Sequence, residues 1–186
     1  MPMLLLAGPA AEPWTVTDLK SFLRVEHDAD DAVIASLLTA ARAQIEAITC
    51  KMLLAQRWRL VLDAWPRDGR IVLRGGPLRS LIAVRIYDER GYSHGLDLDS
   101  FVLDLAADVI AVPRGALPEP GRAVAGIELD LELGYGTAPD DVPPPLRHAV
   151  RTLVAQWYDN RGSAAGATLL PGSVAAMIAG YRAVAL

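Results

Sequence analysis

Residues Asp140 to Gly162 read DDVPPPLRHAVRTLVAQWYDNRG. Within them Leu146, Ala149, Val150, Leu153, Val154, Trp157 and Tyr158 recur at steps of three and four. That spacing puts all seven on one stripe of an α-helix. Asp140 and Asp141 precede it, followed by prolines that fit only before or within a first turn. Acid at the front and Arg161 at the back both suit the helix dipole. Gly162 stands where a left-handed residue would end the helix. The stripe closes on a Trp-Tyr pair, and aromatic residues of that size either complete a core or anchor an interface.

Composition sets the outer bounds. The chain has 186 residues, 52% of them apolar, which predicts one domain with a real core. Net charge is −4, against a protein that binds nucleic acid by blanket phosphate neutralisation. Cys50 is the single cysteine, so no internal disulfide forms. The first thirteen residues, MPMLLLAGPAAEP, lack the basic start and long apolar run of a secretory signal. Nor does any stretch approach the ~20 apolar residues of a membrane span. A soluble, untargeted chain is expected, with residues 1–13 an arm ordered only against something else.

Taken in order, Thr15 or Thr17 caps a short helix whose apolar face is Leu19, Phe22 and Leu23. His27-Asp28-Ala29-Asp30-Asp31 then reads as a loop feeding acid to the next helix start. A metal site there would need a second cluster, and the spacing matches no tetrahedral zinc pattern. Residues 30–49 form the second long helix, with Val33, Leu37, Ala41, Ile45 and Ile48 on one face, supported by Ile34 and Leu38. Arg42 and Glu46 make an i,i+4 pair on another face. Cys50 reads as a packed or idle thiol, since a nucleophile would need a base beside it.

After Leu54 the period changes to two. Trp58, Leu60 and Leu62 alternate with Arg57, Arg59 and Asp63, Pro66 to Gly69 turns, and Arg70 to Arg74 returns, which predicts a hairpin. Gly75-Gly76-Pro77 breaks it; no Walker Lys-Ser/Thr follows, so this is a turn rather than a phosphate loop. Leu81 to Tyr87 is a strand with Ile82, Val84 and Ile86 on one face, and 101–105 and 109–112 are weaker ones. Ile127 to Leu133, IELDLEL, alternates without a break. One face is buried and the other, carrying Glu128, Asp130 and Glu132, is expected to be wet, as in an antiparallel sheet. Paired carboxylates also serve glycoside hydrolysis, but nothing here raises one pKa.

The fold class is therefore α+β: a helical core of long packed helices with an inserted block of short antiparallel strands. The expected division is an arm at 1–13, a connecting domain at 14–162 (helical core 14–54 and 135–162, β insertion 55–134) and a tail at 163–186. The tail carries a single charge, Arg182, among many apolar residues. Ser173 caps a short helix from Val174 to Ala179. Between a tail packed on its own helices and one that a Gly/Ala/Ser-rich strap delivers to another subunit, the second is expected.

Two stretches resemble the phage head–tail connector, or adaptor, family in its long form with a β insertion, as in tailed phages and gene transfer agents. EPWTVTDLKSFLRVEHDADDAVIASLLTAARAQIEAIT, from Glu12 to Thr49, is similar to that family's opening helix, acidic loop and long helix. YGTAPDDVPPPLRHAVRTLVAQWYDNR, from Tyr135 to Arg161, is similar to its Pro-rich helix start and Trp-Tyr-x-x-Arg end. Trp58-Arg59-Leu60, Pro77 to Ser80 and Tyr87 to Gly91 resemble its middle, so the likeness covers most of 12–162.

What the resemblance implies is structural work without catalysis, cofactor or metal. Such proteins form a ring, usually of about twelve copies, beneath the portal of a DNA-filled capsid, and join it to a stopper or tail protein. Double-stranded DNA passes through without sequence reading, and no membrane is involved. The location implied is the head–tail junction of a virion or phage-like particle, with the bacterial cytoplasm before assembly. The tail would then meet the portal through Leu169, Leu170, Val174, Met177, Ile178, Tyr181, Arg182 and Leu186. Ring packing would use Leu37, Ile45, Leu153, Trp157, Tyr158 and Arg161, and Glu128, Asp130 and Glu132 would give a wet surface or channel face. Two other readings stand beside this one: a stopper or tail-completion protein one ring further down, and a small α+β enzyme built on His27, His148, Cys50 and the acid pairs. No Ser/His/Asp, HExxH or CxxC arrangement supports the enzyme.

Overall fold

The structure is a computed structural model that describes residues 2–112, 115, 117–160 and 170–182. It divides into two compact units, one of residues 1–10 and 55–134, the other of 11–54 and 135–186. The architecture is α+β.

The first unit is built of β-strands, with a 3-10 turn at Leu98–Ser100. A five-stranded antiparallel sheet has the order β1-β2-β8-β4-β5: β1 (Met3–Ala7), β2 (Gln56–Leu62), β8 (Ile127–Leu133), β4 (Leu78–Tyr87) and β5 (Ser93–Gly95). A second sheet has the order β3-β7-β6, made of β3 (Arg70–Val72), β7 (Val109–Ala111) and β6 (Val102–Asp104). The alternating strand IELDLEL is β8, and it lies at the middle of the larger sheet because both neighbours match its pattern. Leu60 and Leu62 of β2 stand opposite Leu129 and Ile127, and Val84 and Ile86 of β4 oppose the same two. Ile127, Leu129, Leu131 and Leu133 are fully buried. Met3 and Leu60 of the larger sheet and Val72 of the smaller line one small cavity with Leu73 and Arg74.

Three expectations fail in this unit. Residues 57–63 and 70–74 do not form a hairpin: β2 takes β8 as its partner and β3 joins the other sheet. The turn itself exists, with the Gly69 N–H donating to Pro66 C=O at 2.9 Å. β2 makes seven pairs with β8 and β3 makes three with β7, a choice of partners that turn residues cannot reveal. The second difference is at the N-terminus, where Met3–Ala7 adds a strand to β2 of its own chain and is not an arm waiting for another body. The third is Ile82, which a register shift between Leu81 and Ala83 turns out of the buried row; it is 36% exposed. At Gly76 there is no room for a side chain, because a Cβ would overlap the Asp108 carboxylate, whose Oδ1 accepts the Leu78 N–H at 2.7 Å. The Gly-Gly-Pro stretch is thus a close-packed strand entry.

The second unit is helical: α1 (Val16–Leu23), α2 (Asp31–Thr49), α3 (Pro144–Asp159) and α4 (Gly172–Ile178). Thr15 caps α1 through a reciprocal capping box with Asp18. α3 buries Leu146, Ala149, Val150, Leu153 and Val154, with Trp157 and Tyr158 half-buried at its end. α2 presents Ile34, Leu38, Ala41 and Ile45 to the same core, one residue round from the expected stripe, leaving Val33 39% exposed. By length and composition α2 is apolar enough to cross a bilayer, yet this buried row makes it a core helix.

The rotation of α2 has a cause. It turns Arg42 and Glu46 inward, to 9% and 6% exposure. The Arg42 guanidinium donates to Glu12 at 2.7 Å and to Glu46 at 2.8 Å, and Glu46 accepts the Leu53 N–H at 2.8 Å. A buried ion pair persists only when its remaining hydrogen-bonding capacity is met, and here both carboxylates and a loop N–H meet it. Trp14 is held beside α3 by its indole N–H on Arg147 C=O at 2.8 Å, under the guanidinium groups of Arg147 and Arg151.

Candidate interaction surfaces

The acidic row on β8 is not a row of free charges: Glu128 and Glu132 stay partly exposed and Asp130 is buried. Its neighbours each supply arginine, and the three carboxylates are paired. Arg59 of β2 holds Asp130 with two bonds, Nε–Oδ1 at 2.7 Å and Nη2–Oδ2 at 3.0 Å. Arg85 of β4 donates to the same carboxylate from the other side. Glu128 lies 3.2 Å from Arg59 and 3.5 Å from Arg85, and Glu132 is 3.0 Å from Arg79. Asp130 is only 9% exposed. Burial pushes its carboxyl up, but the hydrogen bonds from Arg59 and Arg85 outweigh that and hold it below the ordinary range. A carboxylate kept ionised between two fixed guanidinium groups is neither a proton donor nor a free anion. Its role is to lock β2, β8 and β4 together across the sheet.

The acidic loop before α2 is paired too. Lys20 bridges Asp28 and Asp31, the latter at 2.8 Å, and Asp30 accepts the Tyr158 hydroxyl at 2.5 Å. Asp30 occupies the N-cap position of α2, but its side chain makes no capping bond. His148 accepts from the Arg151 Nε at 2.7 Å on α3, and Cys50 ends α2 with φ 54°. Among the described residues no group of three or more His, Cys, Asp or Glu side chains is placed to hold a metal.

The proposed portal contacts divide sharply. Val174 and Ile178 are fully buried in the core shared with α2 and α3, with Leu170, Met177 and Tyr181 packed against it. The described part of the tail is therefore built into its own unit, which corrects the expectation that it is delivered to another subunit. The reason is local: Val174 and Ile178 stand one turn apart on α4 and join the buried cluster of α2 and α3. Arg182 is exposed, while Leu169 and Leu186 lie outside the described residues. Of the ring-packing residues, Ile45 and Leu153 are wholly interior and reach no neighbour. Leu37, Trp157 and Tyr158 keep partial exposure, and Arg161 lies outside the described residues, as does Gly162. Sequence reasoning missed Leu4, Leu5 and Leu6 on β1, which are 54%, 53% and 44% exposed. Three apolar side chains in a row on an edge strand were the available signal.

Carboxylates locked by arginine leave no free acid–base pair on β8, and apolar side chains left on a sheet edge mark a surface suited to assembly. A family model for phage gp6-like head-tail connector proteins matches residues 14–94. Solved structures match over the whole chain. A chain from the "Neck of empty GTA particle computed with C6 symmetry" is 29% identical with a TM-score of 0.84, and one from the "Virion of native gene transfer agent (GTA) particle" is 29% identical with a TM-score of 0.82. A third, from the "Neck of native GTA particle computed with C12 symmetry", is 30% identical with a TM-score of 0.75. Each covers 100% of this chain and 97% of the other. No curated protein sequence matches. The chain belongs to the phage head–tail connector family.

Proposed function

We propose that this protein forms a ring of about twelve copies in the neck of a tailed phage or gene transfer agent particle. It sits beneath the portal, joins the DNA-filled head to the stopper or tail protein below, and leaves a channel for double-stranded DNA. The observation that carries this is the full-length likeness to chains from particle necks computed with C6 and C12 symmetry. Charge is consistent with a conduit. The chain is net −4, and Arg59, Arg79 and Arg85 of the β8 ladder are committed to carboxylates, so that face offers little grip on phosphate. Before assembly the protein resides in the bacterial cytoplasm and afterwards in the particle.

Contact with the portal falls to the end of the chain beyond α4, from Arg182 onward, because Val174 and Ile178 serve the protein's own core. Mixing the purified full chain with its cognate portal ring tests the proposal. Class averages in the electron microscope should show one added ring stacked on the portal. Failure to bind portal, with binding to the next neck ring instead, would assign the protein one tier lower.

A further inference from the structure

The larger sheet ends in two strands that no described strand covers: β1 at one end and β5 at the other. The β1 edge is apolar on both faces, Leu4 lying on the side of Arg59 and Leu5 on the side of Trp58. All three β5 residues are exposed, and Tyr92 just before them is 66% exposed. Edge strands in stable monomers are usually blunted by charge; β1 has none between Pro2 and Pro9.

The hydrogen-bonding pattern shows which backbone groups are left over. The Val61 N–H donates to Pro2 C=O, so Pro2 and Leu4 turn their polar groups toward β2, and Met3 and Leu5 turn theirs outward. Likewise Leu96 donates to Val84 C=O and His94 pairs with Ile86, so Ser93 and Gly95 turn theirs outward. Each edge therefore offers two residues spaced two apart. Five strands in strictly alternating directions also make β1 and β5 run the same way.

We propose that β1 of each copy pairs in parallel with β5 of the next copy, so that the five-stranded sheets join into one belt around the ring. This rests on the ring reading above. A rotation that carries one copy onto its neighbour keeps strand direction, which is what a parallel junction needs, and two unlike edges meeting head to tail form a contact that a ring can close. In the register that satisfies both edges, Leu5 lies opposite His94 of the neighbouring copy. Leu5 donates its N–H to Ser93 C=O, Gly95 donates to Leu5 C=O, and Ser93 donates to Met3 C=O. Tyr92 of the neighbour then lies beside the exposed leucines.

The test uses the full chain on its cognate portal ring. Leu5→Pro removes an outward donor and leaves the bonds to β2 in place; ring formation should fall at least about tenfold while circular dichroism is unchanged. In a Cys50→Ser background, Leu5→Cys with His94→Cys should give a ladder of covalent multimers with a short bifunctional thiol reagent, and neither single variant should. If Leu5→Pro does not fold, the cysteine pair decides. Intact rings with no ladder would overturn the β1–β5 junction and leave the ring reading standing. A wild-type chain that never forms a ring on the portal would overturn the ring reading, and this junction with it.

Discussion

Asp130 concentrates the residue-scale argument. It touches Arg59 and Arg85 at once, so removing it leaves two guanidinium groups facing each other. Asp130→Ala should lower stability by about 1–3 kcal/mol in chemical denaturation, the usual cost of orphaning buried partners. The folded carboxyl lies below its ordinary value of 3.8. Its contribution is therefore complete above that value and is lost as pH falls through the lowered one. Thermal unfolding of wild type and Asp130→Asn should differ most near neutrality and converge in strong acid. The carboxylates were legible in the sequence, because strict alternation marks one face of a strand. Their arginines were not, because Arg59 is 71 residues away and Arg85 is 45 away, and nothing in one strand names its neighbours. Cys50 makes a second case. It holds the left-handed position that ends α2, where a side chain is strained, so Cys50→Gly should raise stability by about 0.5–1 kcal/mol.

Among the elements, α3 was the most readable, since three- and four-residue spacing over four turns admits one interpretation; the helix runs Pro144–Asp159 and buries the expected stripe. α2 was placed correctly and turned slightly wrong, because Arg42 and Glu46 look like surface residues until Glu12 is brought beside them. β5 carries no hydrophobic pattern and could not be read at all. α4 was expected near its true place, but its partner was misjudged: an apolar tail looks the same whether it packs at home or abroad. That difference is measurable. Ile178→Ala should cost about 2–5 kcal/mol, as for a fully buried aliphatic residue. Removing residues 183–186 should leave the melting temperature within a degree or two of wild type while weakening attachment to the portal. Equal stability for both variants would show that α4 is not part of the core.

For the molecule as a whole, the family was legible from two helical stretches, Glu12 to Thr49 and Tyr135 to Arg161, whose apolar residues build the helical core. The arrangement of strands was not, since strand pairing over 70 residues depends on competition among edges that a one-dimensional pattern does not show. As proposed above, the protein is a piece whose free surfaces are completed by neighbours. Exposed leucines on β1 and the full-length likeness to neck chains both follow from that. The most direct measurement is a reconstruction, without imposed symmetry, of the full chain assembled on its cognate portal ring. The account predicts a closed ring of about twelve copies in which each copy meets the next through unlike surfaces. A single copy bound to the portal, or copies paired face to face through the same surface, would contradict it.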